Sequence, residues 1–314
     1  MISIIMPVFN SGFYLEETIK SILTQSYKDF QLIIIDDGST DDSYLIAQKF
    51  ADNDSRILLL HQENQGVSIA RNKGLKHVKG NILIFVDSDD RLCEKALEKI
   101  EYEMSFHDYD LLIYSWNNIV NEKKEPFIIN EKNSSLSYVY KSITRHDFKC
   151  GGGFPWNKAW KVSSILLNDD NLLCFDVIEF YEDKLWTLKS LDLMHNPKIG
   201  FCAKPLYDYF VRSNSLSHAK TTKRMKHLNY SSIECLKKIK DYVISKHSDY
   251  GQLVDDAINT HILYALWWDI KNKNWDYNSE NYYNKLKFKI GSIKELMLFL
   301  IIVIYKKLPL KNQG

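Results

Sequence analysis

Ile82-Leu83-Ile84-Phe85-Val86-Asp87-Ser88-Asp89-Asp90 runs an unbroken apolar stretch straight into three carboxylates, with one serine between the first two. Bounded by Gly80-Asn81 before it and acids after, the apolar run reads as a strand buried on both faces. The acids then stand at its carboxyl end, where open α/β sheets place their ligands. Like charges this close together favour a cation to neutralise them. Oxygen-only ligands suit a hard ion such as Mg²⁺ or Mn²⁺, which commonly bridges to phosphates. The competing reading makes Asp89 or Asp90 the cap of a helix beginning near Arg91.

The flanking sequence repeats the pattern of that strand. Ile2–Met6, Leu32–Ile35 and Ile57–Leu60 are short apolar runs, and Leu111–Tyr114 is a fifth. Helical spacing falls between them over about Gly12–Gln25, Thr40–Phe50 and Val67–His77. Alternation of this kind predicts βαβ units and a mostly parallel sheet with helices on both faces. From Trp116 to Lys149 the period weakens and hairpins or loops are expected. Cys150-Gly151-Gly152-Gly153-Phe154-Pro155 reads as a flexible turn leading into a short helix near Trp156–Trp160. A helix is expected over Glu182–Ser190, and strands over Ile199–Ala203 and Leu206–Val211. Beyond about Thr221 the apolar spacing turns helical, through Leu228, Ile233, Leu236, Ile239 and Val243 and then Leu253–Ile270. Residues 1–220 therefore form an α/β domain and residues 221–314 a small helical region.

At 314 residues and 45% hydrophobic, the chain can bury a sizeable core. A net charge of +1 gives no basic field for nucleic acid. The five cysteines, at positions 93, 150, 174, 202 and 235, are widely spaced without a CxxC pair. That spacing argues against a zinc site or a disulfide framework and fits a reducing compartment. No secretory signal is expected, so the reading is a cytoplasmic protein.

Pro7-Val8-Phe9-Asn10, Asp36-Asp37-Gly38-Ser39 and the acidic cluster each follow a strand, and so share one rim with the Asn64–Gly74 segment. There Asp37 is placed to accept from a base N–H, and Pro7–Phe9 offers backbone groups and a flat ring. Arg71 suits a phosphate oxygen, with Lys73 a weaker candidate. Asp36 reads as a partner that fixes the loop. Each feature has a plainer alternative: Asp-Gly as a turn, Arg on a helix as solvated.

Together, Ile4–Asn10, Ile34–Asp41, Asn64–Gly74 and Val86–Asp90 resemble glycosyltransferase family 2, the inverting GT-A enzymes. The resemblance covers about the first 220 residues and implies a Rossmann-like GT-A fold. It also implies transfer of a sugar from a nucleotide-sugar donor, a UDP-sugar, to a hydroxyl of a glycan, lipid-linked saccharide or glycoprotein. The setting would be bacterial surface polysaccharide or glycoconjugate synthesis. Donor contacts would come from Pro7, Val8, Phe9, Asp37, Asn64 and Arg71. The DxD motif Asp87-Ser88-Asp89 would join them, with Trp156 stacking on a sugar and Arg212 near the diphosphate. Mn²⁺ or Mg²⁺ would sit on Asp89, with Asp87 and His218 as further candidate ligands. Asp183, in Phe180-Tyr181-Glu182-Asp183, matches the family's general base. Without the resemblance, Glu182-Asp183 is only an acidic pair at a helix start.

The rival enzyme is a nucleotidyltransferase, which should carry a glycine-rich basic loop after its first strand. Pro7–Gly12 is not such a loop. A non-catalytic nucleotide-sugar-binding module is the other alternative. Leu296–Tyr305, followed by Lys306-Lys307, is about half the roughly 20 residues that span a bilayer. Residues 296–307 are expected to lie peripherally on the inner face of the cell membrane, to be buried in a core, or to join a homodimer.

Overall fold

In the computed structural model, β1 (Ile2–Val8) is buried along nearly its whole length, with parallel neighbours on both sides. On one side lies β2 (Phe30–Asp37) and beyond it β3 (Ile57–Gln62); on the other lies β4 (Ile82–Phe85). The structure describes residues 1–145, 147–168, 171–212, 222–272, 275–286 and 293–307. Three helices link the four strands: α1 (Gly12–Leu23), α2 (Ser43–Ala51) and α3 (Val67–Leu75). Gly74 lets α3 lie close on the sheet. A Cβ there would meet Ile35 Cδ1 at 2.8 Å and Ile5 Cγ2 at 2.9 Å.

The second half of the sheet is mixed. After β4 come β5 (Arg91–Leu92), α4 (Ala96–His107), β6 (Leu111–Val120) and β7 (Lys123–Phe127). Next are α5 (Leu136–Arg145), β8 (Lys158–Lys161), the ribbon of β9 (Leu166–Asn168) and β10 (Asn171–Leu172), α6 (Glu182–Leu193) and β11 (Ile199–Phe210). Sheet order is β3-β2-β1-β4-β8-β6-β11-β5, with β7 on β6. β8 runs antiparallel between β4 and β6. The short helix expected near Trp156–Trp160 is thus a turn at Trp156-Asn157 followed by a strand, because residues from Lys158 on fill an open slot between two strands. Conversely, α5 lies where loops were expected; it buries Val139, Tyr140 and Ile143. No helix starts at Arg91, so the capping alternative for Asp89 and Asp90 falls.

The described chain divides into two compact units, residues 1–177 with 182–212, and residues 178–181 with 213–314. The second is helical: α7 (Thr222–Lys246), α8 (Gly251–Lys271), α9 (Tyr277–Lys285) and α10 (Ile293–Lys307). Ile233, Leu236, Ile239 and Val243 of α7 are buried, as are Val254, Ile258, Ile262 and Leu266 of α8. α10 packs on α8 and buries Leu298 and Ile302, leaving Leu296, Met297, Leu300 and Ile301 exposed. It is therefore partly a core helix with a second apolar face outward. Among the described residues, no helix is long and apolar enough to cross a membrane.

Candidate active site

The carboxyl ends of β1, β2 and β4 meet the start of α3, and short polar contacts bind them together. Asn10 N donates to Ser39 Oγ at 3.0 Å, and Thr40 N donates to Asn10 Oδ1 at 2.8 Å. Asp37 Oδ1 accepts from Gln62 Nε2 at 2.8 Å and Gln65 N at 2.9 Å, and Oδ2 accepts from Gly66 N at 2.8 Å. Those three bonds hold the loop that opens α3, and they leave the carboxylate about one acceptor position for a ligand. Gly38 is obligatory beside this loop: it has φ of +70°, and a Cβ would come within 2.6 Å of Asn64 N. Asn64 itself is exposed. Asp36 is buried and pairs with His61 Nδ1 at 2.8 Å, which suits the loop-fixing role expected of it.

Phe9 is 49% exposed and offers a ring at the rim, whereas the Val8 side chain belongs to the core and Pro7 is half-buried. Ser88 is also turned inward. Its Oγ meets Ser11 Oγ at 2.6 Å, and its carbonyl accepts from Thr18 Oγ1 at 3.1 Å. Ser88 thus fastens the acidic loop to α1 rather than offering its hydroxyl to a donor.

The three acids differ sharply. Asp90 is buried, accepting from Tyr207 Oη at 2.9 Å and from Phe210 N at 2.8 Å. Burial, with Asp89 and Asp87 nearby, pushes its carboxyl well above the usual range. Tyr207 Oη also accepts from Asp87 N at 3.1 Å, so one β11 hydroxyl braces both ends of the cluster. Asp87 and Asp89 keep 30% and 40% of their side chains exposed. Burial and Asp87 raise the Asp89 carboxyl, and Arg212 opposes the shift. Arg212 pairs with the Asp89 carboxylate and main-chain oxygen and lies over the Tyr14 ring, 3.5 Å from its centroid.

Two partly exposed carboxylates fit a divalent ion held jointly with a diphosphate, since such ions commonly take only one or two carboxylates beside substrate phosphates. Among the described residues, no three His, Cys, Asp or Glu side chains are arranged to hold a metal by themselves. His218 lies outside the described residues.

Arg71 departs from its expected place. Rather than facing a phosphate, it is 5% exposed and bridges two carboxylates, Asp87 at 3.3 Å and Glu182 at 3.0 Å. Its guanidinium carbon stands 5.2 Å from the Phe175 ring centroid, and its Nε–H has no acceptor among the described residues. Burial opposes the charge, but Asp87, Glu182 and Asp183 outweigh it and hold Arg71 above its ordinary value. The next residue makes a second tie: Asn72 exchanges two hydrogen bonds with the Phe175 main chain, at 2.9 and 2.6 Å. α3 is thereby joined to the segment ahead of α6.

Asp183 stands in the first turn of α6 and remains partly exposed, with Lys184 N donating to its Oδ1 at 2.6 Å. Burial, then Glu182, raise its carboxyl to about 7, against the pull of Arg71, the Lys184 amide and Lys158. Trp156 is another correction. It is 5% exposed, and the rings of Phe154, Tyr207 and Tyr209 lie nearly parallel to it at 4.9–5.3 Å. That stack leaves no open face for a sugar, so Trp156 is a core residue beneath the site.

Residues 3–157 match the family described as Glycosyl transferase family 2. The chain belongs to glycosyltransferase family 2. This family 2 chain is 31% identical to the glycosyltransferase GlyA of Streptococcus pneumoniae over 266 residues, which is 82% of this chain and 38% of GlyA. It thus spans about two fifths of the length of such curated relatives. Among solved structures it resembles S. aureus TarS 1–349 in complex with UDP-GlcNAc, at 20% identity and TM-score 0.63, covering 98% of this chain and 81% of that one. It also resembles the mannosyltransferase PcManGT from Pyrobaculum calidifontis in complex with GDP-Man and Mn²⁺. There the identity is 12% and the TM-score 0.57, over 96% of this chain and 79% of that one. The fold is GT-A.

The bridge makes a testable demand. Arg71→Met leaves Asp87 and Glu182 without their shared cation and should lower ligand-free stability by about 3–5 kcal/mol, read by chemical denaturation. An arginine whose work is only to meet a phosphate would leave that stability within about 0.5 kcal/mol.

Proposed function

We propose that this chain is an inverting glycosyltransferase that moves a sugar from a UDP-sugar to an acceptor hydroxyl. The observation carrying this reading is the Asp87–Arg71–Glu182 bridge, which ties the acidic tip of β4 to the helix start bearing Asp183. Inversion needs a base on one side of the sugar and a leaving diphosphate on the other. In this reading Asp183 takes the proton of the acceptor hydroxyl as its oxygen attacks the anomeric carbon. The sugar–phosphate bond breaks on the opposite face.

Phe9 lies against the base of the nucleotide, and the last acceptor position of Asp37 takes a base N–H. Asn64 lines the same rim. Asp89, assisted by Asp87, would hold Mn²⁺ or Mg²⁺, which supplies charge stabilisation for the departing diphosphate when bound. Arg212, a cation already on Asp89, is placed to turn to the diphosphate. The acceptor we assign is a glycan, a lipid-linked saccharide or a glycoprotein in bacterial surface glycoconjugate synthesis, reached from the cytoplasm.

Asp183→Asn should lower turnover by about 10²–10⁴-fold while leaving UDP affinity, measured by calorimetry, within a few-fold. Because the carboxyl stands near 7, the wild-type rate should fall as pH drops below about 7, where the base is protonated, and level off above it. Near-normal turnover by Asp183→Asn in a UDP-release assay with Mn²⁺ overturns the base assignment.

The outward apolar face of α10 suits peripheral contact with an anionic membrane surface, where interfacial helices bury one side. Changing exposed Met297 and Leu300 together to Glu in the full chain should abolish co-flotation with vesicles containing phosphatidylglycerol. Equal flotation of the variant and the wild type overturns the contact.

A further inference from the structure

The Gly151–Phe154 turn is not loose. Its carbonyls converge on one buried ammonium, that of Lys158 at the start of β8. Lys158 Nζ donates to the carbonyls of Gly151 at 3.3 Å, Gly152 at 2.9 Å and Phe154 at 2.8 Å, and to Asn157 Oδ1 at 2.8 Å. Gly151 and Gly152 adopt φ of +71° and +61°, conformations open to glycine at little cost. The turn in its own right rests on α6. A Cβ on Gly153 would lie 2.7 Å from Lys184 Cα, and Thr187 Oγ1 donates to Gly153 O at 2.9 Å. Lys158 therefore reaches the first turn of α6 through packed main chain.

The charges agree with that geometry. Asp183 is faced by Glu182 and Lys184 on its own helix, by Arg71 from α3 and by Lys158 from β8. Lys158 is faced by Asp183 and by the Cys150 thiol. Burial pulls the lysine down to about 7, and Asp183 works against that pull.

We propose that Lys158 is a positioning residue for Asp183, locking the Gly151–Phe154 turn onto the start of α6 and adding a positive charge to the surroundings of the carboxylate. The inference rests on Asp183 being the base.

The test follows the carboxyl ¹³C resonance of Asp183, identified by its loss in Asp183→Asn, across a pH titration of the full chain. Lys158→Met should raise the midpoint, since an opposite charge nearby favours the ionised form. Lys158→Arg should restore most of it. A lysine that merely supports the fold would lower the melting temperature and leave the midpoint in place, which overturns the proposal. If Lys158→Met does not fold, the reciprocal measurement decides. In Asp183→Asn the ε-¹⁵N midpoint of Lys158 should fall by a similar amount, and an unchanged value overturns the proposal. UDP release from UDP-GlcNAc separates the two readings. Near-normal release by Asp183→Asn overturns the base and this inference together, whereas lost release with an unmoved midpoint overturns the Lys158 role alone.

Discussion

A guanidinium almost wholly removed from water, with one amino group on Asp87 and the other on Glu182, joins Arg71 to a carboxylate 111 positions along the chain. Burying a charge is costly unless it is paired, and breaking such a pair leaves the remaining charges stranded. Arg71 is therefore held in place by the same acids that it holds. Its position fixes the distance between the acidic tip of β4 and the first turn of α6, the distance on which the proposed transfer would depend.

Other buried polar groups reinforce the arrangement from outside. Tyr207 braces Asp87 and Asp90 from β11, Asn72 clasps the main chain at Phe175, and Ser88 is tied to α1 through Ser11 and Thr18. Beneath them Phe85, Trp160, Phe175 and Trp186 pack edge to face and in parallel, with ring centroids 4.6–5.8 Å apart. A rigid floor of this kind holds the side chains of Phe9, Asp87, Asp89 and Asp183 in fixed places.

The parallel half of the sheet was legible because its strands are buried on both faces and so read as unbroken apolar runs. The rim was legible for the same reason, since strand ends mark it. What the sequence did not disclose depends on partners far along the chain. β8 is a strand only because β4 and β6 leave a slot for it, and its own residues carry no decisive period. Arg71 and Trp156 are residue types that suit a ligand, and nothing local says that two carboxylates and three rings occupy them first. Lys158 and Tyr207 carry no local mark of what they hold, although a lysine following Pro-Trp-Asn and a tyrosine in an apolar strand are polar groups that need partners once buried.

We propose that the strand tip carrying Asp87 and Asp89 and the carboxylate of Asp183 share one cleft. The most direct measurement is the line width of the Asp183 carboxyl ¹³C signal in the presence of UDP, with Mn²⁺ compared against diamagnetic Mg²⁺. The account predicts that Mn²⁺ broadens the signal strongly and that Mg²⁺ leaves it sharp. A sharp Asp183 signal while Mn²⁺ and UDP are both bound would contradict it.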